Sequence, residues 1–471
     1  MIKKGSFALT LLMLVQVAGL SQEGWKRGRL QVAPGGHYLQ HQDGSPFFWL
    51  GDTGWELFHR LKLDEADRYL ENRRSKGFNV IQAVILAEFN GLKKPDQYGR
   101  VPLQDLDPDK PDQGYFEWVD TVIRMALHKD MFMALLPTWG DKVTLAWGEG
   151  PVVFNTGNAY RYGLWLGKRY KEYPNIIWML GGDRPPVTDS MDWRPVWRAM
   201  AKGIQEGTGN QAIFTYHTSG GPHSTSQMIH TEPWLSINTM QSGHGNGHDV
   251  AVWSWVERDR NLMPAKPTLD AEPNYEDHPV NPWPKWDSAN GYFSDYDVRK
   301  QTYRSVFAGA CGVTYGHHSV WQFWSAREVK VNHADCYWTD AIDRPGACQV
   351  GYLRYLMESR PQFNRIPDQA MLLEGQGEKG QYICCTRAAD GSYAMIYLPY
   401  GKKITIRTDF TKAPKLVAWW YNPKNAQIKK IGILKREHSM SFVPPALGFL
   451  NDWVLVLDDP SDHFKTPGKI K

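Results

Sequence analysis

The 471-residue sequence predicts a (β/α)8 barrel followed by a small antiparallel β-sandwich, and three observations carry that fold class. Eight short apolar runs between residues 47 and 315 alternate with segments of helical periodicity, the pattern of strand–helix repeats around a parallel sheet. Polar and aromatic residues gather just after those runs, where a barrel places its functional face. From about residue 370 the helical segments stop, and short strand-like runs with Asp-Gly and Asn-Pro turns take over.

Residues 1–21 stand apart from this plan. Met1-Ile2-Lys3-Lys4 is a basic start, residues 7–20 are nearly all apolar, and Gly19-Leu20-Ser21 offers small residues for cleavage. The stretch reads as a secretory signal, too short to span a bilayer. No cysteine precedes Cys311 and no later stretch reaches 18 apolar residues. The expectation is an exported protein, periplasmic or extracellular, with no membrane anchor.

The barrel domain is expected over residues 22–362, opening with a hairpin at 29–46 that turns at Asp43-Gly44. The first barrel strand, 47–50, runs into Gly51-Asp52-Thr53-Gly54-Trp55, and a helix over 64–76 leads to the second, 79–86, which ends near Glu88. A helix over 115–129 leads to the third, 131–136, ending in Pro137-Thr138-Trp139, and one over 159–172 leads to the fourth, 175–183. The helix 193–206 precedes the fifth, 212–216, ending at His217; the sixth, 235–240, ends at Gln241. The seventh spans 268–272, and the helix 295–307 precedes the eighth, 312–315, which ends in Gly316-His317-His318. An open doubly wound sheet would want a Gly-rich phosphate turn after the first strand, and none is present. Residues 363–368 read as a linker to a sandwich over 370–471 with seven strands: 381–387, 393–398, 403–407, 415–421, 428–433, 439–443 and 453–457. Within it, Gly375-Gln-Gly-Glu-Lys-Gly matches a dinucleotide-binding pattern by letters alone, since a strand rather than a helix follows it.

The formal charge of +4 falls to about +2 without Lys3 and Lys4, and no Lys/Arg cluster argues for nucleic acid. Five cysteines are an odd set; Cys336 and Cys348 are placed to pair in an oxidising compartment, but no disulfide framework underlies the fold. The unusual figure is 21 Trp, whose flat faces suit both core packing and stacking on the C–H faces of sugars.

In the fourth strand, Asn175-Ile-Ile-Trp-Met-Leu-Gly-Gly-Asp183, a period of two puts Ile177, Met179, Gly181 and Asp183 on one face. In the seventh, Pro267-Thr-Leu-Asp-Ala-Glu272, the same rule groups Thr268, Asp270 and Glu272, with Glu272 nearest solvent and Asp270, its rival, a layer deeper. Strands four and seven face each other across a barrel mouth. Two carboxylates straddling a ligand, one acid and one nucleophile, are what a retaining glycosidase needs. Asp52, Trp55, Glu88, Trp139, His217, Gln241, His317 and Trp321 follow strand ends and are candidate sugar-binding groups. Trp165, Trp193 and Trp197 fall in helical segments and read as core. The long connections 141–158, 218–233 and 242–265 would set the substrate. The 15 histidines raise a metal-dependent hydrolase, but neither His-x-His at a strand end nor His-Glu-x-x-His occurs; His244 and His248 sit in a Gly-rich loop. No metal and no cofactor is expected.

Three stretches, Phe47-Phe-Trp-Leu-Gly-Asp-Thr-Gly-Trp-Glu-Leu-Phe58, Trp178-Met-Leu-Gly-Gly-Asp183 and Leu269-Asp-Ala-Glu-Pro273 with Tyr275-Glu276, resemble the apiosidase-like glycoside hydrolases. The resemblance covers the export signal, the barrel and the C-terminal sandwich with Trp419-Trp-Tyr-Asn-Pro423. It implies a (β/α)8 catalytic domain, hydrolysis of apiose linkages in the plant cell-wall pectin rhamnogalacturonan II, Asp183 as acid/base and Glu272 as nucleophile. Action on another plant furanoside such as arabinofuranose, or carbohydrate binding without catalysis, are the alternatives. The sandwich, despite Trp419, Trp420 and Tyr421, reads as a brace for the barrel, because residues alternating along a strand send at least one ring into the core.

Overall fold

The computed structural model describes residues 25–469 apart from Lys26 and Pro222, so the signal expected over 1–21 lies outside the described residues. The N-terminal hairpin gains a third strand: β1 (Leu30–Val32), β2 (Leu39–His41) and β3 (Pro46–Phe47) form one antiparallel sheet. His41 and Phe47 of this sheet pack on Phe132, which closes the N-terminal end of the barrel.

Eight parallel strands follow: β4 (Trp49–Thr53), β5 (Val80–Val84), β6 (Phe132–Leu136), β7 (Ile176–Gly181), β8 (Phe214–His217), β9 (Asn238–Met240), β10 (Thr268–Asp270) and β11 (Gly312–Tyr315). Their order is β8-β7-β6-β5-β4-β11-β10-β9, each strand beside its sequence neighbour and β11 beside β4. The seam between β8 and β9 is closed by the N–H groups of Ser236 and Ile237, which reach the Phe214 carbonyl at 3.0 and 3.1 Å. Every strand residue is buried, because the inner face fills the barrel and the outer face meets helices. Along β7, Ile177 and Met179 join the barrel interior with Val80, Ala134 and Leu269, while Trp178 and Leu180 join the helix layer.

Two helices flanking β7, Thr156–Arg169 and Arg194–Gly207, pack backbone to backbone. A methyl group on Gly163 would stand 2.4 Å from the Met200 carbonyl, and one on Gly203 would stand 2.2 Å from that of Tyr160. Paired G-x-x-x-G spacings, 163/167 and 203/207, permit this approach and hold β7 firmly against its cover.

The C-terminal region has nine strands: β12 (Arg365–Pro367), β13 (Leu372–Glu374), β14 (Cys384–Ala388), β15 (Tyr393–Leu398), β16 (Ile404–Arg407), β17 (Lys415–Tyr421), β18 (Ile428–Lys435), β19 (Ser439–Phe442) and β20 (Trp453–Asp458). They form a six-stranded sheet, β12-β14-β15-β20-β17-β18, and a three-stranded sheet, β13-β16-β19. The stretch read as a linker is therefore partly strand, since β12 pairs antiparallel with β14. The central strands β15 and β20 of the larger sheet are buried on both faces. Ala394, Ile396, Leu455 and Leu457 enter the sandwich core, whereas Tyr393, Met395, Tyr397, Val454 and Val456 join the barrel's helix layer. Buried ion pairs cross the same boundary, Arg299 to Asp452 at 3.0 Å and Arg360 to Asp458 at 2.7 Å. Trp420 and Tyr421 are core residues of the two clusters, and Lys430 lies over the Trp419 ring. All five cysteines are free, so the pairing expected for Cys336 and Cys348 is not present; Cys336 Sγ lies beside Ser319 instead.

Candidate active site

At the C-terminal end of the barrel a cavity of about 750 Å³ is lined by Asp183, Glu272, Glu88, Gln241 and a wall of aromatic rings that includes Trp55, Trp139 and Trp321. The size and mixed lining suit a small polar ligand with apolar faces.

Asp183 reaches this cavity by a turn, not by strand alternation. β7 ends at Gly181, and Gly181, Gly182 and Asp183 adopt positive φ values of 91°, 89° and 55° in succession. Glycine is required at the first two because an L side chain disfavours that conformation and because space is absent. A methyl on Gly181 would meet the His217 carbonyl at 2.2 Å, and one on Gly182 the Gly140 nitrogen at 2.7 Å. The turn aims the Asp183 N–H at His217 Nδ1, 3.2 Å away. Asp183 Oδ2 accepts from Trp147 Nε1 and from Arg184 Nη1, both at 3.2 Å, and Oδ1 has no hydrogen-bond donor among the described residues.

Glu272 also leaves its strand before arriving. The expected face of Thr268, Asp270 and Glu272 does not form: Leu269 and Ala271 belong to the barrel interior. Asp270 turns toward the helix layer, accepting from Ser242 Oγ at 2.5 Å, which in turn accepts from Gln301 in the helix Asp295–Phe307. The ladder stops at Asp270, and the freed chain turns Glu272 inward. Its Oε1 accepts from Gln241 Nε2 at 2.8 Å and from His244 Nε2 at 3.1 Å, and its Oε2 lies 3.0 Å from His217 Nε2. The tautomers follow from the other ring nitrogens. His217 Nδ1 accepts the Asp183 N–H, and His244 Nδ1 accepts the Tyr275 N–H at 3.3 Å. His244 thus presents Nε2–H to the Glu272 carboxylate, while His217 Nε2 lies beside it at ion-pair distance.

The two carboxyls are driven in opposite directions. Burial would raise Glu272, but the contacts of His217 and His244 outweigh it and hold the group well below the usual carboxylate range. Asp183 is raised, by burial first and by the charge of Glu272 second, against weaker pulls from Arg184, His217 and Trp147. Glu88 is raised well above its ordinary value by burial and by the charges of Glu56, Asp183 and Asp141. Asp270, fully buried, is pushed up to about 7.

Of the residues singled out in the sequence, Asp183, Glu272, Trp55, Glu88, Trp139, Gln241 and Trp321 line the cavity, and His217 sits in contact with both acids. Asp52 and His317 do not reach it. Asp52 is fully buried, accepting from Tyr69 Oη at 2.5 Å and Arg73 Nε at 2.7 Å, so it anchors a helix to the barrel. His317 is equally buried, pairing with Asp277 at 3.1 Å and accepting the Ser319 N–H at 3.0 Å, so it starts a helical turn. Residues the sequence reading passed over are Trp147, Phe89, Tyr275, His278 and Trp283, all on the cavity wall. His244 and His248 part company: His244 serves Glu272, while His248 pairs with Asp297 at 3.1 Å. His278 stacks on His244 with centroids 3.9 Å apart.

Comparison with known proteins gives this arrangement its context. A structure described as a glycoside hydrolase superposes with a TM-score of 0.84 at 34% identity, covering 93% of this chain and 98% of that one. A glycoside hydrolase family 5 structure from Bacteroides vulgatus gives 0.85 at 31% identity, covering 94% and 96%. No curated protein matches the chain. Residues 366–458 match the family described as "Putative collagen-binding domain of a collagenase". No helix among the described residues is long and apolar enough to cross a membrane. Residues 33–364, the barrel with its site, match the family described as "Apiosidase-like, catalytic domain", so this chain belongs to the apiosidase-like family and is a glycoside hydrolase.

Proposed function

We propose that the protein is an exported, retaining glycosidase that cleaves apiose linkages in the pectin rhamnogalacturonan II, with Asp183 as acid/base and Glu272 as nucleophile. The observation that carries the mechanism is the split between two carboxyls in one cavity, Asp183 raised and Glu272 lowered. Retaining chemistry asks for one ionised and one protonated carboxyl about 5–5.5 Å apart. The single His217 ring, touching the Asp183 amide on one side and Glu272 on the other, supports placing the two residues about one bound sugar.

In the first step a Glu272 oxygen attacks the anomeric carbon as the bond to the glycosidic oxygen breaks, and the Asp183 proton passes to the leaving oxygen. Oε1 already accepts two hydrogen bonds, which leaves Oε2 as the attacking atom. On Asp183, Oδ2 accepts two donors, so the mobile proton belongs on Oδ1. In the second step Asp183, now ionised, takes a proton from water, the resulting oxygen attacks the anomeric carbon, and the Glu272 ester is released. Aspartate is one methylene shorter than glutamate, and the Gly181-Gly182 turn supplies the closer backbone approach that a short acid needs.

The apiose assignment rests on the family and on a small, aromatic-walled cavity suited to a compact sugar. Incubation with rhamnogalacturonan II side-chain oligosaccharides tests it, with Asp183→Asn as control. Release of apiose that disappears in the variant is the expected result. Cleavage of arabinofuranosides alone would overturn the apiose assignment and keep the mechanism. For the C-terminal sandwich the packing of β15 and β20 on both sandwich core and barrel helix layer supports bracing; removal of residues 370–471 should leave an insoluble barrel, and a soluble, fully active one would refute that role.

A further inference from the structure

Trp147 belongs to the connection after β6 and stands at the cavity rim with 45% of its surface exposed. An exposed tryptophan is ordinarily mobile, but this one is clamped at three points. Its Nε1–H donates to Asp183 Oδ2 at 3.2 Å, its carbonyl accepts from Arg184 Nη2 at 2.7 Å, and the Arg184 guanidinium lies over its ring, 4.2 Å from the centroid. Arg184 is itself buried and also donates to the Asp183 carbonyl at 2.8 Å. Thus one buried cation fixes both the ring and the acid. A flat apolar surface is held rigid beside the carboxyl that meets the leaving oxygen.

Building on the proposed glycosidase mechanism, we propose that Trp147 is the leaving-group platform, stacking on the sugar ring to which the cleaved residue is attached, and a positioning residue that keeps the Asp183 proton on Oδ1. Two consequences follow from chemistry. The ring favours a glycosyl leaving group, whose C–H face stacks on indole, over a small alcohol, which has no such face. The indole N–H occupies Oδ2 and favours the ionised carboxylate, so losing it raises Asp183 further.

The test uses the full-length protein with Trp147→Phe, which keeps a ring and loses the donor, and Trp147→Ala, which loses both. Carbon-13 titration of the Asp183 carboxyl, assigned by its absence in Asp183→Asn, should show the midpoint moving up by about half a pH unit or more in Trp147→Phe. An unchanged midpoint in a folded variant overturns the positioning role. In turnover, Trp147→Ala should lose about tenfold more kcat/KM on a rhamnogalacturonan II side-chain oligosaccharide than on methyl apiofuranoside. Equal losses on both overturn the platform. A wild-type protein that cleaves neither compound refutes the apiose reading and removes the platform with it, while the titration still decides the positioning role.

Discussion

Asp183 and Glu272 face one cavity from the ends of β7 and β10, and their surroundings differ in burial and in the number and kind of donors. Glu272 is the more buried, yet Gln241 and His244 donate to it, His217 Nε2 lies 3.0 Å away, and its carboxyl is held low. Asp183 has two longer contacts on one oxygen, and burial together with the Glu272 charge raises it. Burial alone would have raised both. The comparison teaches that the polar groups set around each carboxyl, more than burial, drive the two in opposite directions here.

The largest break in this comparison is Glu272→Gln, which keeps shape and removes the nucleophile; kcat should fall on the order of 10⁴-fold. Asp183→Asn should cost about 10²–10⁴-fold on a natural glycoside and far less on one whose leaving group needs no proton. The wild-type rate should fall as pH drops and protonates Glu272, and fall again as pH rises and ionises Asp183. In Asp183→Asn the alkaline limb should vanish while the acidic limb stays, a difference that pH–rate profiles read directly. His244→Ala removes one N–H from Glu272 Oε1, so the acidic limb should move upward and kcat/KM drop about 10–100-fold. A limb that stays in place would assign the lowering of Glu272 to His217 and Gln241 alone.

The strands that carry these groups were legible because each is a short apolar run buried on both faces, and so was the pair of acids at opposite strand ends. Side-chain parity was not. Gly181-Gly182 marks a close approach in the sequence, but three successive left-handed residues, which end the alternation, depend on the neighbouring His217 and Gly140 backbones. On β10 the expected face was the opposite one, since Leu269 and Ala271 fill the interior and only the early end of the ladder returns Glu272 to the cavity. Asp52 and His317 misled for another reason. Both follow apolar runs, but their partners, Arg73 and Asp277, lie on other elements, where no local pattern reveals them. The long connections expected to set the substrate do reach the cavity, since Trp147, Gly220 and His244 come from them. Trp283 and His278 come from the loop after β10, whose length offered no signal of which rings turn inward. The G-x-x-x-G pairs flanking β7 were readable and went unread.

The smallest expected effect sharpens the comparison most, because it concerns a third carboxyl in the same cavity. Glu88 is raised like Asp183, by burial and by three neighbouring acids, yet the proposed mechanism assigns it no proton transfer. A carboxyl that stays protonated offers one O–H donor and one carbonyl acceptor, and a carboxamide offers the same pair. Glu88→Gln should therefore change kcat/KM by no more than about threefold at neutral pH, whereas Glu88→Ala, which deletes both groups from the cavity wall, should cost about tenfold. The same substitution in Glu272 should silence the enzyme, because the proposed mechanism uses the charge itself there. Replacing Glu88 also removes a group whose ionisation at high pH would set a further negative charge beside Asp183. The alkaline limb of Glu88→Gln should consequently reflect Asp183 alone, and a steep loss of activity in this variant at neutral pH would show that Glu88 works as an anion.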